Sequence, residues 1–149
     1  MDTSASQPLS LRLLIVDDHK DSARALSRLL RHEGHVVTTA HTVAGALAMV
    51  AGQSPMDVLI SDIGLPDGDG CDLLRRLRLF YGGRDVAAVA LSGMGDADFI
   101  ERCREAGFRE FLVKPVAFEQ VMETLKVLRS TAVRPAPNGP NVPSPLAGE

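Results

Sequence analysis

The strongest constraint in this chain is an alternation of two hydrophobic rhythms. Short, nearly continuous apolar runs occur at Leu11–Val16, Val36–Ala40, Val58–Ser61, Val86–Leu91 and Phe111–Val113. Runs of this kind suit parallel strands covered by helices on both faces, where no side of the strand meets water. Between them, apolar residues recur at helical spacing. Ala23, Leu26, Leu29 and Leu30 form one such set, and Leu73, Leu74, Leu77 and Phe80 another. Ile100, Cys103 and Ala106 repeat in the same way, as do Phe118, Val121 or Met122, Leu125 and Leu128. Residues 42–50 make a weaker, Ala-rich helix with Thr42 as its N-cap. The strand ends fall near 17, 40, 62, 92 and 114, and each interval holds one strand–helix crossover. The expected fold is α/β: a (βα)5 doubly wound, five-stranded parallel sheet with helices on both faces.

In such a sheet, ligands bind at the carboxyl ends of the strands. Asp17 and Asp18 stand at the end of the first strand, Asp62 at the third, Ser92-Gly93 at the fourth and Lys114-Pro115 at the fifth. Three crowded carboxylates repel one another unless a cation sits among them. An all-oxygen donor set suits a hard ion, Mg²⁺ first and Mn²⁺ as a substitute. Asp18 and Asp62 are candidates for direct ligation and Asp17 for ligation through water. Lys114 supplies a compact positive charge for a phosphoryl oxygen, and Ser92 a hydroxyl donor. A carboxylate nucleophile, a divalent ion and a lysine are the parts of phosphoryl transfer, with Asp62 becoming an acyl phosphate.

The segments LIVDDH, SDIGLPDGDG, ALSG and FLVKP, in this order and at these spacings, resemble the receiver domain of two-component response regulators. The resemblance covers about residues 11–130 and implies the flavodoxin-like strand order 2-1-3-4-5. It implies that Asp17 and Asp18 are the acidic metal pair and Asp62 the phosphoacceptor. By the same resemblance Gly64 supplies a backbone carbonyl to the metal, and Ser92 and Phe111 are the switch pair. Lys114 matches the family's lysine, with a cis bond to Pro115. The implied phosphoryl donor is a histidine kinase or a histidine phosphotransfer protein. A downstream protein partner would read the face made by the fourth helix, fifth strand and fifth helix. The style of SDIGLPDGDG and ALSG resembles hybrid-kinase receivers, so a phosphorelay intermediate or phosphate sink is the alternative. Catalysis is expected to be limited to the domain's own phosphorylation and dephosphorylation.

Some positions depart from commoner choices in the family. Gly64 and Met94, two residues after Asp62 and Ser92, have no polar side chain to hold an attacking water, so slow loss of the acyl phosphate is expected. Ala117 stands where an N-cap is common, at a cost of about 1 kcal/mol to the last helix. Asp67-Gly68 and Asp69-Gly70 read as a turn and the N-cap of the third helix, since the calcium-loop spacing is absent. Asp17-x-His19-x-x-Ser22 lacks the final Gly of the cobalamin-domain signature, which leaves a ligand-binding module of the same fold as a distant alternative. His32, His35 and His41 are expected at the surface or in caps. Arg24, Arg28 and Arg31 form a basic stripe on the first helix, either a solvated face or part of a docking surface for the histidine donor.

The remaining chain sets bounds. A net charge of −3 gives no basic surplus for gripping nucleic acid by its phosphates. No apolar run approaches the roughly 18 residues needed to span a bilayer. Residues 1–10 are polar, lack signal-peptide features, and read as a flexible lead. Residues 131–149 are proline-rich and aperiodic and read as a disordered tail, with no output module. Cys71 and Cys103 make no disulfide framework. A cytoplasmic location, without membrane or direct nucleic-acid contact, is the expectation.

Overall fold

A computed structural model of the chain describes residues 10–83, 85–93 and 97–131. The elements in chain order are β1 (Arg12–Val16), α1 (Lys20–His32), β2 (Val36–Ala40), α2 (Val43–Val50), β3 (Val58–Asp62), β4 (Gly64–Leu65), β5 (Gly68–Asp69), α3 (Gly70–Phe80), β6 (Ala87–Ser92), α4 (Ala97–Ala106), β7 (Glu110–Val113) and α5 (Phe118–Thr131). The main sheet is parallel, in the order β2-β1-β3-β6-β7. This is the expected 2-1-3-4-5 order, since β4 and β5 form only a two-residue antiparallel hairpin outside that sheet.

The two faces of β1 explain its unbroken apolar run. Leu14 and Val16 pack with Ala46 and Val50 of α2, Leu73, Leu74 and Leu77 of α3 and Cys103 of α4. Leu13 and Ile15 pack with Ala23 and Leu30 of α1 and Val121, Leu125 and Leu128 of α5. Both faces are therefore dry, and each fully buried Leu or Ile contributes about 1.5–3 kcal/mol.

Local capping follows residue chemistry. The Thr42 hydroxyl accepts from the Gly45 amide at 2.8 Å and starts α2; the Asp69 carboxylate accepts from the Asp72 amide at 2.8 Å and starts α3. Ala117 has no capping side chain, yet the Gln120 side chain accepts from its backbone N–H, one half of a capping box.

Three expectations are corrected. Leu29 and Phe80 are 46% and 52% exposed, outside the apolar faces to which their spacing assigned them. The buried stripe of α1 is Ala23, Ser27 and Leu30 instead. His35 is only 6% exposed. Gly34, at φ +100°, ends α1 with its amide on the Arg31 carbonyl, and the His35 amide reaches back to Leu30. That left-handed ending turns the following residue inward. His35 Nδ1 accepts from the Leu11 amide at 3.1 Å, and burial pushes its pKa down.

Candidate functional site

The parallel register brings the chemical groups to one edge. Asp17 and Asp18 follow β1, Asp62 closes β3 opposite Leu91, and Ser92 closes β6 opposite Val113, one residue before Lys114. Lys114 Nζ donates to Asp62 Oδ1 at 2.9 Å and to Asp17 Oδ1 at 3.3 Å. The Asp18 amide reaches Asp62 Oδ2 at 3.4 Å, and the His19 amide donates to Asp17 Oδ1 at 2.9 Å. The Lys114–Pro115 bond is cis, as the resemblance implied.

Burial makes these charges interact strongly. Asp17 and Asp62 are almost fully buried, while Asp18 is exposed. Burial and the neighbouring Asp17 push the Asp62 carboxyl up to about 7, against the pull of Lys114. Burial also acts to raise Asp17, but its hydrogen bonds with Asp62 and the His19 amide, together with Lys114, outweigh it and hold Asp17 below the usual carboxylate range. Burial disfavours the Lys114 ammonium, but Asp62 and Asp17 hold its pKa above the ordinary value. The carboxylate pair thus favours one bound proton near neutrality unless a second cation joins it.

The donor set fits such a cation. Ligand atoms of Asp17, Asp18, His19 and Asp62 all lie within 4.8 Å of one another. The carboxylates are hard oxygen donors, as a Mg²⁺-like ion prefers. A cavity of about 270 Å³ opens onto the cluster, lined by Asp18, Asp62, Gly64, Gly93 and Lys114 among others.

Ser92 is 2% exposed, and its Oγ has no hydrogen-bond partner among the described residues. Its carbonyl accepts the Lys114 amide at 2.8 Å, tying the ends of β6 and β7 together. Phe111 is half-buried on β7, its ring centroid 6.5 Å from that of Phe108, with the Arg104 guanidinium 5.0 Å from the ring. A Cβ at Gly64 would meet nothing within 4 Å, so glycine there is not imposed by packing. Met94 lies outside the described residues.

Two further features had no local signal in the sequence. The Asp67 carboxylate accepts from the Val43 and Ala44 amides at 2.8 and 2.9 Å, clamping the loop after Asp62 to the start of α2. A Cβ at Gly70 would lie 2.5 Å from the Asp62 carbonyl oxygen, so only glycine lets α3 start this close. A search for turn glycines finds Gly70, but not what it touches.

The basic stripe falls elsewhere. Ser22, Ala25, Leu26 and Leu29 of α1 line a groove of about 270 Å³ beside Asp17, Lys114 and Pro115. Arg24, Arg28 and Arg31 line a separate groove toward β2.

Known proteins show the same arrangement of elements. A family model described as the response regulator receiver domain matches residues 13–126. The sensory/regulatory protein RpfC of Xanthomonas campestris pv. campestris is 35% identical over 118 residues, which cover 78% of this chain and 16% of RpfC. The virulence sensor protein BvgS of Bordetella bronchiseptica is 30% identical over 148 residues, covering 96% of this chain and 12% of BvgS. The chain therefore spans less than a fifth of either sensor protein. The solved non-phosphorylated HemR receiver domain of Leptospira biflexa is 26% identical with a TM-score of 0.73, over 85% of this chain and 99% of that one. A match along most of the described residues, on the fold and carboxyl-edge cluster above, means that this chain belongs to the response regulator receiver domain family.

Proposed function

We propose that the domain takes a phosphoryl group onto Asp62 from a phosphohistidine of a histidine kinase or phosphotransfer protein. The observation that carries this reading is Lys114 bridging Asp62 and Asp17, at the sheet edge where the buried Ser92 hydroxyl has no partner among the described residues. In the transfer an Asp62 carboxylate oxygen attacks phosphorus and the P–N bond breaks. The donor ring enters the step protonated on its other nitrogen, so the departing nitrogen keeps the bonding pair, the imidazole leaves neutral, and Asp62 becomes an acyl phosphate. Lys114 already sits 2.9 Å from the attacking carboxylate and can shift to an incoming phosphoryl oxygen. The Ser92 hydroxyl donates to a second oxygen.

Asp17, Asp18, Asp62 and the Gly64 carbonyl would hold Mg²⁺. When bound, the ion neutralises the carboxylates and the phosphoryl oxygens. The histidine donor approaches across the groove of Ala25, Leu26, Leu29, Pro115 and Phe118, whose apolar lining leads to Asp17 and Lys114. Engagement of Ser92 draws on the loop after β6 and biases the α4–β7–α5 face for a downstream partner. Glycine at position 64 and methionine at 94 offer no side chain to hold water, so the acyl phosphate is long-lived. The domain turns over no other substrate and acts in the cytoplasm, away from membrane and nucleic acid. Among the described residues no helix is long and apolar enough to cross a membrane.

The test is incubation with acetyl phosphate and Mg²⁺, read on a phosphate-affinity gel. Wild type shifts only with Mg²⁺, and Asp62→Asn does not shift. An undiminished shift in the variant overturns the assignment. A second reading, as a relay intermediate, is favoured by the much longer sensor proteins among the relatives. It requires that label on Asp62 chase onto a phosphotransfer histidine faster than it is lost to water.

A further inference from the structure

The groove between α1 and β2 is about 240 Å³ and is lined by Lys20, Arg24, Ser27, Arg28, Arg31, Thr39 and His41. We propose that it is a binding site for a small diphosphate-bearing anion, separate from the Asp62 pocket.

Helical spacing first divides α1. Positions 22, 25, 26 and 29 face the Lys114 groove, whereas 20, 24, 27, 28 and 31 face β2. The two grooves share no lining residue, so occupancy of one does not require the other.

Charge is the second argument. No carboxylate lines the groove, and Lys20, Arg24, Arg28 and Arg31 form no ion pair among the described residues. Among the described residues four cations thus stand without a carboxylate partner in one depression of a chain whose net charge is −3. A solvated basic face accounts for exposed arginines, but not for what lies beneath them. Ser27 is 3% exposed, and its Oγ has no hydrogen-bond partner among the described residues. A buried donor of this kind costs free energy until an acceptor reaches it.

The rim is already positioned. Arg31 Nη2 donates to the Val37 carbonyl at 2.9 Å, which holds the guanidinium over β2. His41 Nδ1 lies 2.9 Å from the Asp17 carbonyl; a carbonyl only accepts, so Nδ1 carries the proton and the ring is fixed. Guanidinium forks match phosphate oxygens two at a time. Arg24 and Arg28 stand one turn apart, with Cβ atoms about 5–6 Å from each other, so they can bind adjacent phosphate groups. The volume is just below the usual range for small-molecule pockets, which suits one compact anion rather than a bulky ligand.

The experiment titrates the full chain with inorganic pyrophosphate, without Mg²⁺, by calorimetry and amide NMR. The expected result is saturable one-to-one binding with Kd below about 1 mM. Amide shifts should centre on Ser27, Arg28, Thr39 and His41. Arg28→Gln, at an exposed position that folding does not need, should weaken binding about tenfold, and Ser27→Ala about threefold. An ADP arm separates sources: affinity equal to that of pyrophosphate assigns the diphosphate alone, and tighter binding assigns a nucleotide. The proposal is overturned by any of four results: absence of saturation, shifts centred on Lys114 and Ser92, unchanged affinity in Arg28→Gln, or an oligoglutamate peptide that binds where pyrophosphate does not.

Discussion

The molecule carries two charged clusters of opposite sign, and they are built in opposite ways. The acidic one puts Asp17 and Asp62 at the bottom of a pocket, with one lysine to serve both. The basic one leaves its four cations at the surface and buries only a hydroxyl. Charges removed from water shift each other's protonation and bear on folding stability; charges left in water do neither to any extent. The acidic pocket should therefore reveal itself in stability, pH and chemistry together, and the basic groove in binding alone.

The harshest test of that contrast is Lys114→Met. It removes the only cation within 4 Å of both buried carboxylates among the described residues other than the exposed His19, which approaches Asp17 alone. Asp62 phosphorylation from acetyl phosphate should fall by about 100-fold or more, as when a transition-state charge partner is lost. Without divalent cations the variant should also lose about 3 kcal/mol of stability at pH 8, because two buried carboxylates are left uncompensated. Urea melts at pH 8 and pH 5 check this, with most of the loss recovered at pH 5. A pH-independent loss would mean that the lysine acts by packing.

Gly70→Ala probes the same pocket without touching a charge. Its Cβ would meet the Asp62 carbonyl oxygen at 2.5 Å, and backbone atoms cannot give way as a flexible side chain can. We expect a loss of about 2–3 kcal/mol, and a weakened metal response because the Asp62 backbone must shift. Gly64→Ala, where no atom lies within 4 Å, is the matched control and should be near neutral in a thermal melt.

Asp62→Asn gives the opposite sign. The folded value of Asp62 is raised from 3.8 to about 7, so the folded state holds a proton that the unfolded state releases. That contribution to stability is complete below the unfolded value and is lost as pH rises through about 7. In chelator at pH 8, the neutral amide should therefore raise stability by about 2 kcal/mol. This is less than the full shift allows, since Lys114 loses a charged partner. Near pH 4 the advantage should vanish. An advantage that persists there would show that the pair does not share its proton as the geometry implies.

These contrasts were unequally visible in the amino-acid sequence. The sheet was plain, because strands dry on both faces carry continuous apolar runs, and its carboxyl edge followed by counting from strand ends. Asp17, Asp62, Ser92 and Lys114 all fall there. What escaped depends on contacts between distant segments. Asp67 caps α2 from 23 or 24 residues away. His35 turns inward only because Gly34 ends α1 in a left-handed conformation. Ser27 looks like a polar interruption in α1, yet it is buried at the floor of a groove shared with Thr39 of β2. Helical spacing shows a stripe of arginines equally well in either setting, and only the strand beside it makes a groove.

The smallest expected effect belongs to the groove and is the most discriminating. Arg28→Gln removes an exposed cation with no ion pair among the described residues, so stability should change by less than about 0.5 kcal/mol. Its sign should be slightly favourable, because Lys20, Arg24 and Arg31 would repel one neighbour fewer, and added salt should erase the gain. A melt series in rising KCl measures this directly. If Arg28→Gln instead destabilises by 1 kcal/mol or more at about that scale of a lost hydrogen bond, the guanidinium is part of the α1–β2 packing. The contrast between a buried, coupled pocket and an open, independent groove would then fail at its simplest point.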